Sequence, residues 1–161
     1  MAWAKNGTPE TLGGTDTAVQ ITDLTAKIFN QFLRHEFKTG SLTCNSIFNN
    51  DTGSLYSNRI SYSGGADGTG TSSAALNEAA ANSANDEFHV MYSCWISGEE
   101  KLDIDFAIER STAGSGTAPT RSEHVGKYVP SPLTDTCDRI DGVASTSTLA
   151  ASSNLSAIGT D

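Results

Sequence analysis

From Leu102 to Glu109 the chain alternates without a break. Leu102, Ile104, Phe106 and Ile108 fall on one parity, and Asp103, Asp105, Ala107 and Glu109 on the other. A period of two is the signature of a β-strand with one face against a core. The pattern predicts that the apolar set faces inward and the acidic set faces solvent. Immediately upstream, Val90, Tyr92 and Cys94 alternate with His89, Met91, Ser93 and Trp95 across Phe88–Ile96. The stretch Ser97-Gly98-Glu99-Glu100 between the two runs supplies the turn.

Further strands follow on both sides. Thr17–Thr22 places Val19 and Ile21 on one face, and Ser41–Phe48 alternates Leu42, Cys44 and Ser46 with Thr43, Asn45 and Ile47. Asn49-Asn50-Asp51-Thr52-Gly53 reads as a turn rich in residues that tolerate positive φ. Leu55–Tyr62 then reads as the returning strand of a hairpin. Glu123–Val129 and Cys137–Ile140 complete the set. Lys27–Lys38 is open to two readings, a helical stripe through Ile28, Phe29, Phe32, Leu33 and Phe37 or a strand buried on both faces. The neighbouring strands favour the second. Ala74–Ala84 carries helical propensity, so a short surface helix is open to it. Seven or eight short strands with turns between them predict an all-β fold, a two-sheet antiparallel β-sandwich of jelly-roll type with long Gly/Ser/Thr-rich loops. The expected organisation is an N-terminal arm over 1–16, the sandwich over 17–141, and a C-terminal tail over 142–161. That tail is expected to follow the surface or dock on a neighbouring subunit through Leu149, Leu155 and Ile158.

A chain of 161 residues is long enough to bury a core without staples. Its formal net charge of −9 and its ten scattered Lys and Arg residues argue against nucleic acid or an anionic membrane as partner. The N-terminal sequence Met1-Ala2-Trp3-Ala4-Lys5 lacks the apolar stretch of a signal peptide, which predicts synthesis in a cytoplasm. Cys44, Cys94 and Cys137 form no C-x-x-C pair, so they read as small buried hydrophobes, with a Cys44–Cys94 disulfide left open.

The candidate chemistry is sparse. Asp103 and Asp105 are a carboxylate pair of the type used in acid–base work, but on a solvent-facing strand they serve solubility. His35, His89 and His124 lack short ligand spacing, so no metal site is expected from them. Asn49, Asn50 and Asp51, and Asp67 in its glycine-rich loop, fit turns better than a Ca²⁺ loop. There is no G-K-[ST] and no G-x-S-x-G. Neither a catalytic residue nor a cofactor is expected. Tyr56, Tyr62 and Trp95, with Tyr92, are the candidates for contact with a glycan.

Gly40 through Gly65, with Phe48-Asn49-Asn50-Asp51-Thr52-Gly53, Tyr56-Ser57-Asn58-Arg59 and Gly64-Gly65, resembles a strand–turn–strand pattern in small β-sandwich structural proteins of tailed viruses, especially marine phages. Ile96-Ser97-Gly98-Glu99-Glu100-Lys101-Leu102, the segment from Ala118-Pro119-Thr120-Arg121 to Tyr128-Val129-Pro130-Ser131-Pro132, and Ser153-Asn154-Leu155-Ser156-Ala157-Ile158-Gly159 are similar to parts of the same pattern. The resemblance implies a non-enzymatic virion component: a capsid or decoration protein, or a tail, fibre or spike subunit. Its implied partners are other copies of itself, as a trimer, and other virion proteins. A glycan-binding fibre-tip module and a subunit of an extracellular filament or surface layer are the competing readings.

Overall fold

A computed structural model describes residues 2–77, 85–110 and 115–161. All elements among them are strands, and every pairing is antiparallel. In chain order they are β1 (Ala4–Lys5), β2 (Glu10–Thr11), β3 (Ala18–Ile21), β4 (Phe29–Glu36), β5 (Cys44–Phe48), β6 (Tyr56–Tyr62) and β7 (Gly68–Ser73). Then come β8 (Leu76–Asn77), β9 (Glu87–Cys94), β10 (Lys101–Glu109), β11 (Thr120–Tyr128), β12 (Ile140–Ala144) and β13 (Asn154–Thr160). A nine-stranded sheet runs β1-β13-β4-β9-β10-β11-β6-β7, with β2 also on β13, and a four-stranded sheet runs β3-β12-β5-β8. The two sheets pack as a β-sandwich, as the strand pattern predicts. Within 27–38, Phe29–Glu36 is a strand, but it is buried on one face and not on both, since Phe29 and Leu33 are exposed; β9, β10 and β11 form a meander. Of the alanine-rich stretch, Leu76–Asn77 is strand and 78–84 lies outside the described residues.

Two expectations about connectivity are corrected. β5 and β6 are not a hairpin: β5 pairs with β12 and β8 in the small sheet, and β6 with β11 and β7 in the large one. The turn between them crosses from layer to layer. Asn49 and Asn50 take φ of 52° and 55°, which short polar side chains tolerate. Asp51 Oδ1 accepts from Gly53 N–H at 2.9 Å, closing an Asx-turn. The loop oxygens are therefore committed to the turn and to Tyr128, whose hydroxyl donates to Asp51 Oδ2 at 3.1 Å. The second correction concerns the tail. β13 pairs with β4 along its full length and with β1 and β2 on its other edge, and Leu149 and Leu155 are buried in the chain's own core. Their apolar side chains pack within the sandwich, in contact with the rest of its core.

The apolar core lies between the two sheets. Phe48 lies edge-on to Trp95 at 5.1 Å, and Tyr56 stacks on Tyr128 at 4.8 Å. Val19, Ile21, Phe32, Met91, Ile140 and Leu155 join them. The Tyr56 hydroxyl accepts from Phe48 N–H at 3.0 Å and donates to the Asp51 carbonyl at 3.0 Å, fastening the layer-crossing turn to the core. Tyr56→Phe is expected to cost about 1–3 kcal/mol, since it strands a buried N–H. Urea denaturation monitored by Trp fluorescence measures this, and an unchanged midpoint counts against the fastening role.

Candidate functional site: an apolar outer face over a charged interior

The strand pattern fixes which residues share a face, and the structure turns that face the other way from expectation. On β10, Lys101, Asp103, Asp105, Ala107 and Glu109 point into the sandwich, and Leu102, Ile104, Phe106 and Ile108 point out. Asp105 is 1% exposed and Ile104 60%. The reading of Asp103 and Asp105 as solubilising surface acids is thereby corrected. The reason lies in the neighbours. β4 turns Arg34 and Glu36 inward, β9 turns Glu87 and His89 inward, and β11 turns Ser122 and His124 inward. Inside, the β10 carboxylates meet cations and imidazoles. Outside, the apolar sets of adjacent strands come into register.

That register builds the outer face. Across β4, β9 and β10 the rows are Phe29–Cys94–Leu102, Gln31–Tyr92–Ile104, Leu33–Val90–Phe106 and His35–Phe88–Ile108. None of these twelve positions carries an acid, a lysine or an arginine. Val125 of β11 extends the second row beyond Ile104. Phe29, Leu33, Phe88, Tyr92, Leu102, Ile104, Phe106, Ile108 and Val125 are all exposed. The chain's surplus of acid lies off this face.

The interior is its complement. Glu36, Glu87 and Glu109 stand directly opposite one another across β4, β9 and β10. Like charges in register repel, so the row needs compensation. Arg34 Nε lies 2.6 Å from Glu36 Oε1, and Lys38 Nζ 2.5 Å from Glu87 Oε2. Arg34 also reaches across the layers to donate to Ser46 Oγ of β5 at 2.8 Å. Gly142 of β12 makes that crossing feasible: a Cβ there would sit 2.6 Å from Arg34 Cδ. Glu109 accepts from Asn85 Nδ2 at 2.9 Å and from the Thr120 hydroxyl at 3.1 Å. His89 Nδ1 is 3.1 Å from Asp105 Oδ2, while its Nε2 points between Glu36 Oε1 and Glu87 Oε1 at 3.6 Å from each.

The titration of these groups follows from their surroundings. Burial and the Arg34 guanidinium oppose a charged His89, but Asp105 and Glu36 outweigh them and lift it to about 10. Burial works to raise Glu87, but His89 and Lys38 hold it down to about 2. Burial lowers His124, with Asp105 acting against it.

The residues singled out from sequence are not brought together as a ligand platform. Tyr56 and Trp95 are buried in the aromatic core, and Tyr62 is exposed at the end of β6. Tyr92 lies on the outer face. His35 packs against Phe37 at 4.2 Å on the outer side, away from His89 and His124. Asp67 pairs with Arg59 at 3.2 Å on the surface. No disulfide joins Cys44, Cys94 or Cys137; Cys44 and Cys137 are buried as expected, whereas Cys94 is half-buried on the outer face. Arg34, Glu36, Lys38 and Glu87 escaped sequence reasoning. The signal available for them was parity: each lies on the face of its strand opposite that strand's exposed aromatics.

No family model matches the chain. No curated protein does either. Among solved structures, a catalytic domain of PdAgaC aligns with 98% of this chain and 74% of its own, at 7% identity and a TM-score of 0.28. A likeness that low carries no argument about fold or function.

Proposed function

We propose that this protein is a non-enzymatic structural subunit of a virus particle that self-associates through the outer face of its large sheet. The apolar face of β4, β9 and β10 is the observation that carries the reading. Monomeric soluble proteins rarely show contiguous apolar patches larger than a few hundred Å². Nine half-exposed side chains of this size present on the order of 700 Å², close to the roughly 800 Å² each partner contributes to a standard interface. A second copy is the occupant that fits. The face is apolar in four successive rows and free of formal charge, so a second copy of it is a chemically matched partner. Face-to-face packing of two copies is the simplest closed arrangement, and a trimer buries the same strands around a threefold axis.

The sealed interior supports a non-enzymatic role, since the carboxylates and histidines able to do acid–base chemistry lie beneath both layers. The assignment to a virion rests on the resemblance of the turn and strand motifs, and it extends to other virion proteins as partners. Size-exclusion chromatography with light scattering tests self-association: the expected mass is a multiple of 16.9 kDa, and a strict monomer at high concentration overturns the reading. Gene neighbours test the setting. Capsid, portal and terminase genes support the virion, whereas secretion and surface-layer genes favour a cellular filament.

A further inference from the structure

We propose that Glu36, Glu87 and His89 form a binding site for one divalent transition-metal ion, held between the two sheets. This goes beyond the assembly reading and does not depend on it. The three side chains come from adjacent strands, and one ligand atom from each lies within 4.8 Å of the others. The separations suit an ion better than they suit direct contact. At 3.6 Å, His89 Nε2 is too far from Glu36 Oε1 and Glu87 Oε1 for a hydrogen bond. Two ligand atoms bonded to one tetrahedral ion at about 2.0–2.1 Å stand roughly 3.3 Å apart, so a small closure would complete the triangle.

A second, independent observation points the same way. His89 Nε2, Glu36 Oε2 and Glu87 Oε1 are sealed from solvent without a hydrogen-bond partner, although His89 is 2% exposed and the two glutamates less; Glu36 Oε1 is held by Arg34 Nε. Buried polar atoms normally find partners, and several orphans aimed at one point mark a place for an ion. The opposite side of the imidazole is already arranged. His89 Nδ1 meets Asp105 Oδ2 at 3.1 Å, which keeps a proton on Nδ1, so that an ion displacing the Nε2 proton would find a lone pair aimed between the two glutamates. This carboxylate–histidine pairing is the outer-shell support that metal-ligating imidazoles usually have.

Charge balance agrees. The inner face carries Glu36, Glu87, Asp103, Asp105 and Glu109 against Arg34 and Lys38 in this region. Even with His89 protonated, these five acids face three cations, and a divalent ion that displaces the His89 Nε2 proton adds one net positive charge. One imidazole with two carboxylates suits Zn²⁺ or Mn²⁺ rather than a soft ion.

The test uses the full chain, stripped with a chelator and titrated calorimetrically with Zn²⁺ and, separately, Mn²⁺. One ion per chain is expected, with a Tm rise of about 5–10 °C at roughly 100-fold excess over Kd. Asp105→Asn is expected to weaken binding about 10–100-fold, and Glu87→Gln by at least that. His35→Gln, on the outer face, should leave binding unchanged. Absence of stoichiometric binding, or equal affinity in folded Glu87→Gln and wild type, overturns the proposal. Should the variants fail to fold, anomalous diffraction from zinc-soaked wild-type crystals decides it: a peak between Glu36, Glu87 and His89 supports the site, and its absence there refutes it.

Discussion

Lysine at both Ile104 and Phe106 is expected to abolish the self-association proposed for the outer face and leave a folded monomer. Both side chains already stand outside the sandwich, so the fold has little to lose. The proposed interface has much to lose. Each substitution forfeits about 1.5–3 kcal/mol of apolar burial, and each adds an ammonium that association would have to strip of water. Together they should raise the dissociation constant by about 100-fold or more. Light scattering reads the mass, and far-UV circular dichroism reads the fold. A variant that keeps both its mass and its spectrum would place the contact elsewhere on the surface. The paired control is Glu123→Lys on neighbouring β11, at the rim of the face, where the expected change is small.

Lys38→Met, measured in chelator-treated protein, is expected to be the most destabilising single change, at about 3–5 kcal/mol. The Lys38 ammonium sits 2.5 Å from Glu87, with both side chains fully buried. Removing it leaves a carboxylate in the interior, directly opposite Glu36 and Glu109, short of its nearest cation. Adding Glu87→Gln should restore most of the loss, because the double variant buries a neutral amide rather than an uncompensated charge. Urea midpoints for the two variants and wild type give both quantities. A single-variant loss under about 1 kcal/mol would show that Lys38 contributes no more than a surface pair does.

The strands were legible because their period is local. Val19 and Ile21 and the β9–β10 hairpin follow from alternation and turn residues, while the strand within 27–38, whose own pattern also fits a helix, follows from its neighbours. The direction in which a strand faces is not local. Alternation sorts Asp103 and Asp105 from Ile104 and Phe106, but only the pairing of β10 with β9 and β11 shows that the acids meet His89 and His124 indoors. A flip of one strand moves every side chain to the other face, and the choice rests on what the neighbours turn inward. The same limit explains the hairpin assigned to Ser41–Tyr62. The Asn-rich turn is visible in sequence, whereas its crossing from one sheet to the other depends on β12 and β11, far along the chain. The buried quartet of Arg34, Glu36, Lys38 and Glu87 was out of reach for that reason too. Its members are unremarkable alone and acquire meaning when β4 and β9 lie side by side.

The position of β13 has a consequence for the chain as it is being made. Residues 154–160 close the exposed edge of β4, so that edge stays open until they have been made. The aromatic and aliphatic rows of β4, β9 and β10 are all translated by Glu109. At about 5–20 residues per second, the ribosome then needs a few seconds to deliver Asn154. During that interval one chain carries both a sticky surface and an unpaired strand, the combination that templates aggregation. Neighbouring ribosomes on one message would hold such chains close together. Slower growth at low temperature, or a holdase that covers the rows until release, should therefore raise the soluble yield.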